Sequence, residues 1–422
     1  VLFLWNLASK NLLRNKLRTS ISILAIALSV ALVVFVKGLV VGMIDNMFAL
    51  HIQYKAGHAK IINQEYQQKE RLLSLNYPVD GFNGEGISNM EQKLTKIDGV
   101  KRTLPRIKFR AAVIQDQKDE LVRLMGWGVQ PDKELEFTNI ENKLTDGRMV
   151  KQGQKEVVLG KDLLQKLNLD VGEKITFLYQ TSFGSFRGST FKIVGQIDSG
   201  LKLLDKKAFY LPLDQTQRML EMPGMATELL IETTNYRKID QIMPKVKEVF
   251  KKAEAAEDYQ IISWNRGYDM INMLQIAQRI YNFVYIFLII LAGIVVVNTM
   301  IMIVKERTKE IGMMTALGLK NQEILTMFIM EGTVMGLVGS LVGVIIGGTV
   351  TKIIAITEII DYSAAMSGVS ENILLNPVVR PVVSGKTLIY SFILGVVVTA
   401  LTCILPARKA AKLKPADALR TT

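Results

Sequence analysis

The hydrophobic pattern divides the chain into four long apolar runs and one long mixed region. Ile21–Ile44, Ile280–Val304, Ile324–Val350 and Leu388–Leu405 have the length and composition of membrane-spanning helices. The second run carries no charge over 25 residues. As a helix it measures about 37 Å, enough to cross a core of about 30 Å with tilt. Lys37 interrupts the first run near its outer end, where it can snorkel or face a polar cavity. Glu331 lies near the start of the third, where it reads as a headgroup-level acid or as an ion site. The third run holds the small-xxx-small pairs Gly332/Gly336 and Gly343/Gly347, spacing that lets helix backbones approach closely.

The region between the first two runs has short, alternating elements. Ala59–Ile62 reads as a strand, and Val100–Gln115 with Glu120–Gly128 as a hairpin about a QDQKD turn. Ser88 with Glu91 forms a capping-box pattern opening a helix over Asn89–Ile97. Strands over Glu156–Leu159, Ile175–Gln180, Phe191–Ile197, Ala208–Leu211, Glu228–Glu232 and Gln260–Ser263 follow, with helices at Lys161–Leu167 and from Tyr236 to about Ala255. A β-α-β-β unit opens this region and a β-α-β unit closes it, with a β-rich insertion at about 141–225 between them. The fold class is therefore four transmembrane α-helices plus a large α+β extracytoplasmic domain of two subdomains. The expected order is a cytoplasmic amphipathic helix (1–20), the first span and stalk (21–54), the outer domain (55–266), the second stalk and span (267–304), a cytoplasmic connection (305–322), the third span (323–353), an outer loop (354–386), the fourth span (387–405, ended by Pro406) and a tail (406–422).

Charge fixes the orientation. The net charge is +13, yet Asp45–Gln275 holds 34 basic against 31 acidic residues, so the excess sits at the ends of the apolar runs. Such a distribution reads as topology with basic ends in the cytoplasm, touching membrane lipid, and not as nucleic-acid binding. The single cysteine, Cys403, lies in an apolar run, and two histidines, His51 and His58, are too few for a convincing metal site. The absence of a small-residue cleavage site after the first run marks it as an anchor.

The stretch Lys305–Lys320, KERTKEIGMMTALGLK, joins the second and third runs. Its charged head (Lys305, Glu306, Lys309, Glu310) and the apolar face expected from Ile311, Thr315 and Leu317–Leu319 suit a short amphipathic helix. It is either a handle for a cytoplasmic partner or a topogenic loop. No nucleotide site accompanies it: the SGKT of Ser384–Thr387 has Arg380 where a phosphate-binding loop needs its first glycine. Nor is there a G-x-S-x-G elbow, a HExxH helix or a paired-carboxylate site. A handle without an engine implies an ATPase on another chain.

The pattern formed by Glu306, Arg307, Glu310, Ile311, Gly312, Ala316 and Gly318 resembles the coupling helix of FtsX-like ABC-transporter permeases, the MacB and LolC/LolE type. Arg14–Val30, Met125–Glu134 and the tail PARKAAKLKPADALR are similar to the same family. The resemblance implies a non-catalytic bacterial inner-membrane subunit with its large domain in the periplasm. It has no cofactor of its own, because ATP and Mg belong to a partner ATPase dimer. The coupling residues are Lys305, Glu306, Arg307, Glu310, Ile311, Gly312, Met313, Ala316, Leu317 and Gly318, and a second permease chain, the same or a sister, pairs with this one. In the lipoprotein-releasing branch the cargo is an acylated lipoprotein. Its chains would then meet Val40, Met43, Ile44, Met47 and Phe48 with Met270, Met273, Leu274 and Ala277, an apolar stripe that equally suits stalk packing. A separate surface is the hairpin tip Ser182–Ser189. There Phe183, Phe186 and Arg187 either grip a protein such as a periplasmic carrier or fold back on the sheet. The alternatives are a MacB-like efflux or peptide-resistance permease and, in a different class, a membrane sensor.

Overall fold

The computed structural model describes residues 16–115, 120–357, 360 and 378–412. The amphipathic segment before Lys16, residues 116–119 of the QDQKD turn, most of the outer loop and the tail from 413 lie outside the described residues. Those described form two compact units: residues up to 45, 273–360 and from 378 in a membrane unit, and 46–272 in an outer unit. Four described helices are long and apolar enough to cross a membrane, within Thr19–Ala56, Ile271–Glu306, Asn321–Thr357 and Gly385–Ala411.

The helices that concern the membrane unit are α1 (Lys16–His51), α6 (Asp269–Glu306), α7 (Thr308–Ala316), α8 (Asn321–Thr357), α9 (Gly385–Thr402) and α10 (Ile404–Ala411). The glycines of α8 set its neighbours. A Cβ at Gly343 would stand 2.6 Å from the Ala27 carbonyl of α1, and one at Gly332 would stand 2.2 Å from Cys403 Sγ, so only glycine permits these approaches. Lys37 Nζ lies 3.3 Å from the Tyr390 ring centroid and 5.8 Å from that of Tyr285, a cation–π contact that supplies the partner a lysine at this depth requires. Pro406 does not end the fourth span. The helix breaks at Cys403 and resumes as α10, with Pro406 in its first turn, where a missing N–H leaves no intrahelical bond unmade.

In the outer unit the strands are β1 (Ala59–Asn63), β2 (Val100–Gln115), β3 (Glu120–Val129), β4 (Leu144–Gly147), β5 (Glu156–Gly160), β6 (Lys174–Gln180), β7 (Phe186–Ile197), β8 (Ala208–Pro212), β9 (Glu228–Thr233) and β10 (Tyr259–Ser263). β10-β1-β9-β2 is an antiparallel sheet. Helices α2 (Ile87–Thr95) and α5 (Ile239–Lys252) bury Met90, Leu94, Val246 and Phe250 in the core. From β2 the pairing continues through β3, β8, β5, β7 and β6 and returns to β2, closing a six-stranded ring. Phe109, Val122, Leu159, Phe177, Ile193 and Phe209 belong to the core of that ring. Phe177 stacks on Phe209 at 4.0 Å. Gly126 makes room for Phe109, whose ring would lie 2.2 Å from a Cβ there. The ring has no edge of its own.

Two subdomains thus share one strand. The first half of β2 pairs with β9 and the second half with β6. The insertion expected at 141–225 is corrected accordingly, since the Val100–Val129 hairpin supplies two of the six ring strands. The capping box is also corrected. The helix starts at Ile87 after Gly86, which has φ +88°, with no side-chain cap bond, and Glu91 instead accepts from Thr103 Oγ1 (2.8 Å) and Lys133 Nζ (2.9 Å).

Candidate functional site

Helix α6 ends at Glu306 because Arg307 leaves helical geometry (φ −95°, ψ 14°). The backbone ladder still bridges the break: Arg307 N–H donates to Ile303 C=O at 3.0 Å, and Ile311 N–H donates to Arg307 C=O at 2.9 Å. Helix α7 ends at Ala316, and the chain turns at Gly318, whose φ of +98° suits glycine, with Leu319 N–H closing on Met314 C=O at 3.1 Å. Glu323 accepts from the Lys320 N–H at 2.8 Å and satisfies a donor at the start of α8.

The inner side of this elbow holds the buried charges. Arg307 is 6% exposed and Glu331, on α8, is 1% exposed. Arg307 Nη1 donates to Glu331 Oε1 at 3.2 Å and Nε donates to Glu310 Oε2 at 2.9 Å, while its guanidinium stands 5.9 Å from the Phe328 ring. Glu331 is the carboxylate of a buried ion pair. Ile311 and Gly312 also face inward, with Ile311 in a cluster that includes Ile324, Met327 and Phe328.

The outer side carries Lys305, Glu306, Lys309, Met313, Ala316, Leu317 and Gly318, all exposed. Leu317 is 85% exposed, which corrects its assignment to the covered face, because the helix ends at Ala316 and swings it outward. Met313, Ala316 and Leu317, three and four residues apart, form an apolar ridge. Of the ten expected coupling residues, Arg307, Ile311 and Gly312 shape the inside and Glu310 is half-buried against Arg307.

The nine candidate cavity residues divide between the two units. In the membrane unit Val40, Ile44 and Leu274 are buried, Ala277 is half-buried, and Met43 and Met273 are exposed. In the outer unit Met47 and Phe48 are half-buried, Phe48 packing edge-on to Trp264 at 5.5 Å, and the side chain of Met270 lies outside those described. At the hairpin tip, β6–β7 pairing runs out to Gln180↔Phe186, so the turn is only Thr181–Ser185. Phe183 and Phe186 stand 81% and 83% exposed and do not fold back, and Arg187 is paired with Glu221 at 2.6 Å.

One cluster escapes sequence reasoning. Arg106 and Lys108 on β2 donate to the backbone carbonyls of Gln53 (2.8 Å) and Tyr54 (3.0 Å), in the π-helical turn Ile52–Ala56 that follows α1. Arg106 forks onto Glu134, which the helix Pro131–Thr138 supplies, at 2.6 and 3.0 Å. Lys108 meets Glu228 at 2.8 Å, and Lys60, fully buried, meets Glu70 at 2.7 Å. Burial disfavours both ammonium groups. At Lys60 the opposing Tyr268, Glu228 and Glu70 outweigh it and the pKa rises, whereas at Lys108 burial prevails and the pKa falls. The Arg106–Lys108 alternation reads in sequence as a solvent face, and only the tertiary fold buries it.

Residues 19–255 match the family described as MacB-like periplasmic core domain, and residues 282–415 match that described as FtsX-like permease C-terminal. The lipoprotein-releasing system transmembrane protein LolC of Xylella fastidiosa is 21% identical over 73% of this chain and 75% of its own length. The macrolide export ATP-binding/permease protein MacB of Bdellovibrio bacteriovorus is 22% identical over 97% of this chain and 60% of its own. The periplasmic region of MacB from Actinobacillus actinomycetemcomitans superposes with a TM-score of 0.36 at 14% identity, covering 55% of this chain and 96% of that one.

Proposed function

Because this chain belongs to the ABC-transporter permeases that join a MacB-like periplasmic core domain to an FtsX-like C-terminal region, we propose that it releases lipoproteins from the outer leaflet of the bacterial inner membrane. In this reading a cytoplasmic ATPase dimer, carrying ATP and Mg, docks on the Met313–Ala316–Leu317 ridge. A second permease chain pairs with this one. ATP-driven motion reaches the periplasmic domain, and acyl chains meet the exposed Met43 and Met273 of the membrane unit. The Phe183/Phe186 tip hands cargo to a periplasmic carrier. The observation that carries the reading is the two-sided elbow, with a buried ion pair within and an exposed apolar ridge beside charged residues without.

A second reading, export of soluble compounds or peptides, is favoured by the near full-length match of this chain to a macrolide export protein. Purification of the chain from its native membrane in mild detergent, followed by intact mass spectrometry, separates the two. Lipoprotein release expects an ATPase and a triacylated protein in the complex. An ATPase with an adaptor and no acylated protein replaces it with efflux, and absence of any ATPase refutes both.

A further inference from the structure

The elbow's buried charges have no evident task in binding. A guanidinium and a carboxylate withdrawn from water are held only at a large desolvation cost, and an apolar pair of the same size would pack the two helices at least as stably. What an ion pair adds is register, because its geometry is satisfied at one relative placement of the two elements.

Here the charges sit at one place in the chain. Arg307 is the residue at which the α6 backbone departs from helical geometry, so its side chain leaves from the break itself. Nε holds Glu310, one turn into α7, and Nη1 holds Glu331, ten residues into α8. One guanidinium therefore joins the end of α6, the elbow and the third span. Glu331 lies one residue before Gly332, and Gly332, Gly339 and Gly343 seat α8 against Cys403, Ile26 and Ala27. Backbones this close cannot slide without clashing, so whatever moves α8 at Glu331 moves its neighbours with it.

We propose that Glu331 is a positioning residue that keys the elbow to the third span through Arg307. A push on the elbow's outer face then displaces α8 as a unit and does not merely flex the connection. This rests on the reading of the elbow as the ATPase dock. It adds the residue that converts docking into motion and that itself makes no contact with the partner.

The test uses the detergent-purified complex with its co-purifying ATPase, comparing hydrogen exchange with and without ATP plus vanadate in the wild type, Glu331→Gln and the fully charge-swapped Arg307→Glu/Glu310→Arg/Glu331→Arg. The expected result is that Glu331→Gln retains the ATPase and its turnover but loses the nucleotide-dependent change in exchange across Asn321–Thr357 by about threefold or more, within the span known for residues that carry coupling. The charge swap restores it. A wild-type response in Glu331→Gln overturns the proposal, as does a loss of bound ATPase in that variant, which would make the pair part of the docking face. Failure of the swap to restore the response also overturns it. If Glu331→Gln does not fold, Glu331→Asp, which keeps the charge but shortens the reach, is read by the same criteria. A wild-type complex that responds while the variants do not differ sinks this inference alone, whereas a wild type without an ATPase sinks the functional reading beneath it.

Discussion

Two long helices of this protein end at buried cations, and the ends are built differently. The π-helical turn after α1 offers main-chain carbonyls, and two residues of one strand, Arg106 and Lys108, take them. Each cation is in turn paired with an acid, Glu134 or Glu228. At the end of α6 a single guanidinium from the chain's own next residue holds two acids. The first end is gripped by groups distant in sequence, whereas at the second the cation comes from the residue that follows the helix itself. Charge-assisted bonds from distant strands fix the first end as part of the surrounding core, while those at the second tie together elements that are consecutive in the chain.

The contrast can be broken most directly at Arg106. Arg106→Met leaves Glu134 buried without its cation, and a loss of about 3–5 kcal/mol is expected in the denaturant midpoint of the detergent-solubilised chain. Fluorescence of Trp127 reports it, since that ring lies 5.3 Å from the Arg106 guanidinium. Adding Glu134→Leu should recover much of the loss, because the orphaned charge goes with it. If the single variant costs under about 1 kcal/mol, the grip on the first helix end is not electrostatic.

A smaller effect sharpens the point from the other side, at an acid held by hydroxyl and amide donors. Asp205 is buried, accepts from the Ser199 hydroxyl (2.6 Å) and amide (2.8 Å), and burial pushes its pKa up to about 6. For an acid raised in this way the folded state binds the extra proton. Stability is therefore greatest below the unfolded value near pH 4 and declines as the pH rises through 4 to 6. Asp205→Asn should flatten that decline and raise stability at pH 7 by about 1–3 kcal/mol, read from midpoints across the pH range. An unchanged slope would mean that the site is wetter than its burial implies.

The smallest stability effect belongs to the elbow's outer ridge. Leu317→Ala, at an 85% exposed position, should shift the midpoint by no more than about 0.5 kcal/mol. It should nonetheless reduce the ATPase recovered with the chain on affinity purification. If recovery is unchanged, the ridge is not the dock.

The legibility of these features follows from how far apart their parts lie in sequence. The elbow, its charged head and its position between two apolar runs could be read because all of it is local. Leu317 was misjudged because a helical wheel does not know that α7 stops one residue earlier. Glu331 could not be assigned, since nothing in Glu331-Gly332 tells that Arg307 folds back to it. Arg106 and Lys108 were invisible for the opposite reason: alternation with Ile107 and Phe109 is the ordinary mark of a half-exposed strand, and here the polar face is buried too. Nine of the ten described strands of the outer domain were legible; β4, short and largely polar, was not, nor was the return of β6 to β2, whose register rests on two residue pairs, Ala111↔Tyr179 and Ala112↔Leu178.

The placement of β1 between β9 and β10 bears on how the protein is made. The first strand of the outer domain to emerge has no partner until Glu228–Thr233 and Tyr259–Ser263 have also been synthesised and exported. At about 5–20 residues per second that delay is on the order of 10–40 s. During it a nearly all-apolar segment, Ala59–Ile62, waits at the membrane surface with both of its hydrogen-bonding edges open. Biogenesis is thus the stage at which this architecture is most vulnerable, and the demand for a holding chaperone should fall on the exported half-made chain.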